Sequence, residues 1–403
     1  MNKRIKPAGL YVFLIGCLAL DGCIGFDHRI SQVNPIVVRT EAELVLYNAV
    51  KDSDPFTRSN AIEAMSQTLG EEGGSAYLQA LADGDPSARF AAAMAVGDLK
   101  YYPARDRLLT MAGDKQLEPD KRVMCAVIYA LHRLDNYQYT GQLGQLLFDQ
   151  EKEVRANAAL AMGKLGEPSA IGPLKSLLAS ELEPMVRLQI VESLALLGDQ
   201  ASALSLEGYT KTVFLDERLV AIPAMAKVNP QRASAVLREL LGAQHPPQVR
   251  VAAAGALASI GQTDDNIFSL AKRAASRPAE MLQKAYGPEK TATALEVHSL
   301  RRLSAIALGY TNKLAALDIL QPLLTNEDKG VRLAAAMSVL RLVPASPKPP
   351  EVAREQAPTV QVDQPTADQP VQDDQPAEMP EDQNTEDLKI ELLPQLETSG
   401  PKE

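Results

Sequence analysis

The chain has no tryptophan, and aromatic residues make up only 4% of its 403 positions. Strand formers are sparse as well, which argues against a sandwich or barrel built on β-branched and aromatic side chains. Cysteine is nearly absent. Of three, Cys17 and Cys23 lie within the first 23 residues, so a structural disulfide is not expected and Cys125 reads as a small buried apolar residue. The four histidines, His28, His132, His245 and His298, are far apart and show no paired spacing suited to a metal. No His-Glu dipeptide, G-x-G-x-x-G, G-x-x-x-x-G-K-[ST] or G-x-S-x-G occurs anywhere. Neither a catalytic role nor a cofactor, metal or small-molecule substrate is expected.

Positive charge in excess is missing too. The formal charge is −10, and from Pro344 onward there are 14 Asp and Glu against 4 Lys and Arg, a difference that equals the whole net charge. The remainder is close to neutral and lacks the basic excess that phosphate backbones require, which makes nucleic acid an unlikely partner.

What is present is periodicity. Arg58, Arg89, Arg122, Arg155, Arg187, Arg218, Arg250, Arg301 and Arg332 follow one another at 31 to 33 residues, except for 51 between Arg250 and Arg301. Three residues after each arginine stands a mostly small side chain, such as Ala61, Ala92, Cys125 or Ala158. Seven after stands a larger apolar one, such as Met65, Val96, Tyr129 or Met162. Offsets of three and seven share one face of a helix, so each unit presents a stripe for a neighbouring helix. Self-similarity at this period predicts stacked helical hairpins, an all-α superhelix. Asp54-Pro55, Asp85-Pro86, Glu118-Pro119 and Glu183-Pro184 stand ahead of helix starts, where a carboxylate accepts from free amides and proline is tolerated.

The fragments Asp85-Pro86-Ser87-Ala88-Arg89, Glu153-Val154-Arg155-Ala156-Asn157-Ala158-Ala159 and Gly330-Val331-Arg332-Leu333-Ala334-Ala335-Ala336 resemble HEAT repeats. The nearest variety is the short bacterial kind first associated with phycobilisome lyases. A pigment-attaching lyase itself is disfavoured by the export signal described below. The resemblance implies an α-solenoid of about nine repeats over residues 39–343, and it implies that each arginine pairs with an acid of a neighbouring repeat and spaces the units. Two departures stand out. Pro223 falls inside the helix that follows Arg218 and is expected to kink it, and about 20 extra residues, 277–297, form an insertion that is the first choice for a family-specific function.

At the N-terminus, Lys3, Arg4 and Lys6 precede an apolar run from Ala8 to Leu20, the layout of a secretory signal. Leu14-Ile15-Gly16-Cys17 resembles the bacterial lipobox, which implies lipidation of Cys17; Leu20-Asp21-Gly22-Cys23 is the alternative, with Asp21 at an unfavourable position. An uncleaved signal anchor would place the chain on the same side of the membrane. The expected layout is a signal region over 1–22, a tether over 23–38 and an exported protein held on a lipid bilayer. Leu18 after the cysteine implies the periplasmic side of the outer membrane.

Residues two, five and nine after each arginine lie opposite the packing stripe and are expected to line the concave face. There Met94, Met124, Val127, Leu131 and Leu160, mixed with amides, suit a protein or peptide partner; the alternative is that neighbouring helices cover them. Beyond Val343, proline, glutamine and acids alternate without apolar period, so 344–403 is expected to be a disordered acidic tail. Within it Leu388, Leu392 and Leu393 share one face of a short amphipathic stretch. The resulting expectation is a non-catalytic scaffold of the cell envelope that binds proteins or peptides; a structural spacer and an accessory subunit of an envelope enzyme are the alternatives.

Overall fold

The computed structural model describes residues 33–345 apart from position 115. Cys17, Cys23, the residues before 33 and the tail from 346 onward lie outside the described residues. The chain divides into two units, Met1–Ser346 and Pro347–Glu403, and the fold concerns the first.

Among the described residues there are helices and turns but no strand. They form nine hairpins, each with an outer and an inner helix. The first four are α1 (Pro35–Ala49) with α2 (Pro55–Thr68), α3 (Gly74–Ala80) with α4 (Pro86–Leu99), α5 (Arg105–Gly113) with α6 (Lys121–Arg133), and α7 (Gln142–Leu146) with α8 (Lys152–Leu165). Next come α9 (Ile171–Ser180) with α10 (Pro184–Leu196), α11 (Gln200–Tyr209) with α12 (Leu215–Val228), and α13 (Pro230–Glu239) with α14 (Pro247–Ser259). The eighth has α15 (Asp265–Ser276), an extra helix α16 (Pro278–Tyr286) and α17 (Ala294–Gly309); the ninth has α18 (Leu317–Leu320) and α19 (Lys329–Leu342).

Local chemistry explains where the inner helices begin. Asp54, Asp85, Asp120 and Asp328 each accept an amide of the first turn of the helix that follows. Two residues earlier a second side chain folds the turn itself: Asp52, Asp83, Glu118, Asp149, Glu181 and Asn326 each accept the N–H two positions on, at 2.8 to 3.1 Å. Pro119 therefore precedes the cap of α6 and lies outside its first turn, because Asp120 takes the capping role.

The inner helices pack in sequence from α2 through α17 to α19, and α19 then packs against α2 and α1. The array is thus a closed ring. An outer helix ordinarily sits between two successive inner helices, and α1 occupies that place between α19 and α2. Its Val38, Ala42 and Leu46 are fully buried, and burying a Val or Leu side chain is worth about 1.5–3 kcal/mol. Polar contacts fasten the same seam: Arg39 Nη1 donates to the Val343 carbonyl at 2.6 Å, and Lys329 Nζ meets Asp52 at 2.7 Å. Closure removes the two bare end faces that an open solenoid must cover with special terminal repeats.

Close approach between inner helices needs glycine at Gly163 and Gly309, among other points. A Cβ on Gly163 would stand 2.6 Å from Ser193 Cβ, and one on Gly309 equally close to Ser338 Cβ. The expected kink at Pro223 does not divide α12, which runs through it. The proline ring is on the exposed side while Ile222 and Met225 stay buried. The 277–297 segment folds down as α16, with Leu282 fully buried, and is tied to α17 by a capping box between Thr293 and Glu296. The Thr293 amide, then Tyr286 and Lys290, hold the Glu296 carboxyl down at about 2.

Candidate functional site

Eight of the nine arginines stand in the first turn of an inner helix, Arg301 midway along α17, and they do two separate things. Nη1 of Arg58, Arg89, Arg155 and Arg332 clasps the carbonyls five and six residues back, at 2.6 to 3.2 Å, and so locks the turn. The remaining edge of the fork, in Arg58, Arg89 and Arg155, reaches the next repeat's Asp83, Glu118 and Glu181. Elsewhere the pattern changes. Arg122 pairs with Asp120 of its own repeat and leaves Asp149 to Lys121. Arg187, Arg218, Arg250 and Arg301 donate to backbone carbonyls instead.

The inner helices surround a cavity of about 590 Å³. It is bounded by Asn60 and Glu63 of α2, Met94 and Asp98 of α4, Leu160 and Lys164 of α8, and Lys227 of α12. Because α2 and α12 stand on opposite sides of the ring, a cavity that touches both is the ring's interior. Met94 and Leu160 are half-buried on its wall, as expected for residues at offset five. Met124 is also half-buried, but it is wedged against both hydrophobic clusters of the core and does not line the cavity.

Val127 and Leu131 follow the alternative reading, that neighbouring helices cover them: both are fully buried core residues. A bridge passes over α6. Lys164 Nζ of α8 lies 2.8 Å from Asp98 of α4, skipping the helix between them. The Tyr129 hydroxyl of α6 donates to Asp98 Oδ1 at 2.6 Å, and Lys164 Nζ lies 5.5 Å from the Tyr129 ring centroid. Side chains of α4 and α8 thus meet over Tyr129 of α6, whose offset-five and offset-nine side chains pack into the core.

Three charged side chains share this face of the inner helices with the apolar ones. Arg341 of α19 donates to Gln67 Oε1 at 2.5 Å and stacks on Tyr310, its guanidinium 4.3 Å from the ring centroid. Burial lowers its pKa, opposed by Tyr310 and Glu63, and its Nη1 is buried without a partner. Burial raises the carboxyl of Glu192 on α10, opposed by Lys227 and Lys164. Lys227 and Arg341 stand nine residues after their arginines, the offset of Asp98 and Lys164, so the repeat register alone marks them. At offset two Asn60, Asn157 and Gln189 are amides among apolar residues, at five Glu63 and Glu192 are acids among apolar residues, and at nine Lys164, Lys227 and Arg341 are cations beside Asp98 and uncharged residues.

Cys125 is fully buried, its Sγ 3.8 Å from the Val154 carbonyl, and burial pushes its thiol up to about 12. His132 and His298 stand 3.8 and 3.4 Å from Glu167 and Glu327. Among the described residues no group of three or more His, Cys, Asp or Glu is placed to hold a metal ion, and no helix is long and apolar enough to cross a membrane.

These elements define an all-α helical-repeat protein. The family described as HEAT repeats matches residues 115–195 and, overlapping them, 140–212. HEAT repeats are thus present from α6 to α11, a class of fold commonly used as a protein-interaction scaffold. No curated protein matches the chain.

Proposed function

We propose that this chain is a non-catalytic protein-binding scaffold whose ring interior receives a peptide segment of its partner. The supporting observation is the cavity. Its volume falls in the range of about 300–1,000 Å³ typical of ligand sites, and it pairs the half-buried Met94 and Leu160 with amides and fixed charges that can meet a backbone. The hairpins outside 115–212 carry the same arginine, and those of Arg58, Arg89 and Arg332 the same turn, which favours reading all nine as one short bacterial repeat type. The basic start, the apolar run and the lipobox-like Leu14-Ile15-Gly16-Cys17 support export and a lipid anchor on Cys17, with Cys23 as the alternative. The scaffold then works on the periplasmic face of the outer membrane and needs no cofactor.

The test is crosslinking and affinity capture from a native envelope preparation, with full-length protein and with Met94→Glu and Leu160→Glu. A specific partner that the charged variants lose supports the reading. Capture that is indifferent to both variants overturns the interior as the binding site.

A further inference from the structure

The repeats differ in how their arginine forks are completed. Arg58, Arg89 and Arg155 each meet two carboxylate oxygens of the following turn at 2.6 to 3.0 Å. Arg187, Arg218 and Arg250 meet no carboxylate within ion-pair reach among the described residues; their bonds go to the carbonyls of Leu178 and Glu181, of Thr210, and of Leu241. The sequence of the turns accounts for the first two. Thr210-Lys211-Thr212-Val213-Phe214 and Gln244-His245-Pro246, which follow Arg187 and Arg218, hold no acid where Asp83, Glu118 and Glu181 stand. His245 Nδ1, 3.2 Å from Arg218 Nη2, is the nearest substitute. Burial and the Arg218 charge push the His245 imidazole below its ordinary value, so it accepts a hydrogen bond at neutral pH and offers no countercharge. Desolvation accordingly lowers the pKa of Arg218 and Arg250, while carboxylates raise it in Arg58, Arg89 and Arg155.

The same arc exposes large apolar side chains. Leu182 and Val213 are 88% and 90% exposed, and Met185 and Phe214 are exposed beside them. Of the nearby acids, Glu183 and Glu239 already face Lys152 and Lys211, and Asp216 and Glu217 follow Phe214 in the first turn of α12. We propose that the rim formed by the turns ahead of α10, α12 and α14 docks an acidic amphipathic helix of a partner protein. Its carboxylates complete the forks of Arg187, Arg218 and Arg250, and its apolar stripe covers Leu182, Val213 and Phe214. Spacing selects a helix: neighbouring inner helices stand about 8–10 Å apart, and side chains seven residues apart on a helix share a face at about 10.5 Å. The proposal rests on the protein-binding reading but concerns a separate surface from the interior.

The probe is a fluorescein-labelled helical peptide of about fifteen residues, with Glu at every seventh position and Leu between, beside a counterpart with each Glu replaced by Gln. Fluorescence anisotropy with the full-length protein should give binding that weakens about tenfold on Glu-to-Gln replacement and falls with salt. Val213→Glu and Leu182→Glu, at side chains too exposed to threaten folding, should each weaken it about tenfold. Phe56→Glu, on a turn whose arginine is already paired, should leave it unchanged. No binding, equal affinity for both peptides, or equal loss with Phe56→Glu overturns the proposal. So does Val213-dependent binding to phosphatidylglycerol vesicles in place of the peptide. If the rim fails while capture still depends on Met94, only this inference falls.

Discussion

Lys329 Nζ lies 2.7 Å from Asp52 Oδ1 although 277 residues separate them. Asp52 is the turn acid of the first hairpin, the counterpart of Asp83 in the second, and in an open array no preceding repeat would exist to address it. The last repeat supplies the cation instead, so the contact that joins first to last is of the kind that joins neighbours. The Lys329 hydrogen bond, ahead of the backbone bond from Asp54, holds the Asp52 carboxyl below the usual range. With Lys329 about two-fifths exposed, the pair itself contributes at most about 1 kcal/mol. Most of the seam's stability comes from the buried Val38, Ala42 and Leu46 of α1.

A circular permutant tests closure directly. Joining residue 343 to residue 33 through a short Gly-Ser linker and opening the chain between Gly166 and Glu167, both exposed, cuts no core contact in a closed ring. The permutant is expected to unfold cooperatively with a Tm within about 5 °C of the parent, followed by circular dichroism. A far less stable permutant would mean that the ends do not pack in solution.

The buried pair Arg155–Glu181 is expected to matter more than the seam pair. The Glu181 side chain is 2% exposed, and its carboxylate takes Arg155 Nε at 2.6 Å along with the amides of Leu182 and Glu183. Removing one partner of a buried pair strands the other, so Glu181→Gln should cost about 3 kcal/mol at pH 7 in denaturant unfolding. The Arg155 hydrogen bond lowers the Glu181 pKa. Its contribution is therefore fully present above the unfolded value of about 4.3 and is lost as pH falls through the lower folded value. The gap between parent and variant should shrink only in acid. A gap that stays constant down to pH 2 would refute the assignment.

Much of the fold was legible because it depends on side chains at fixed offsets. The arginine, the small residue three later and the large one seven later specify helix, face and neighbour within a window of two repeats. Closure was not legible, since it depends on curvature accumulated over nine repeats, and no local pattern encodes that. Its trace in sequence is Asp52, an acid in a turn with no earlier repeat to serve. The wall of the interior was half legible. Offsets two and five reach Asn60, Met94 and Leu160 on the wall, whereas Val127 and Leu131 are covered, the alternative that the offsets alone left open. That the forks of Arg187 and Arg218 lack a carboxylate was legible too, from the absence of an acid in the turns that follow them.

Gly163 marks where inner helices touch. An alanine there would put its Cβ 2.7 Å from Ser193 Cα, a backbone atom that cannot rotate aside. Gly163→Ala improves intrinsic helix propensity by about 1 kcal/mol, so a stabilised variant would be the outcome if α8 and α10 were loosely packed. The close approach predicts the reverse, a net loss of about 1–3 kcal/mol as the helices are forced apart. Ser193→Gly in the Gly163→Ala background removes the Cβ that would stand 2.6 Å away but leaves Cα in place, so it should restore only part of the loss. Chemical denaturation of the two variants and the parent measures both steps.

Cys125 supplies a reporter for opening of the ring near α6. Only the thiolate is alkylated readily, and with the thiol pushed up to about 12 about one molecule in 10⁴ is ionised at pH 8 even before access is considered. N-ethylmaleimide should leave Cys125 unmodified in native buffer and label it only as denaturant opens the packing of α6 on α8. Mass spectrometry of the tryptic peptide 123–133 separates it from Cys17 and Cys23. If the closed ring unfolds as one unit, the labelling midpoint coincides with the loss of helical circular dichroism. Labelling that precedes it would place a weak joint between α6 and α8, inside the cluster that Cys125, Ile128 and Tyr129 share with Val154, Ala158 and Ala159. Labelling in native buffer at the rate of a free thiol would contradict the burial of Cys125 outright.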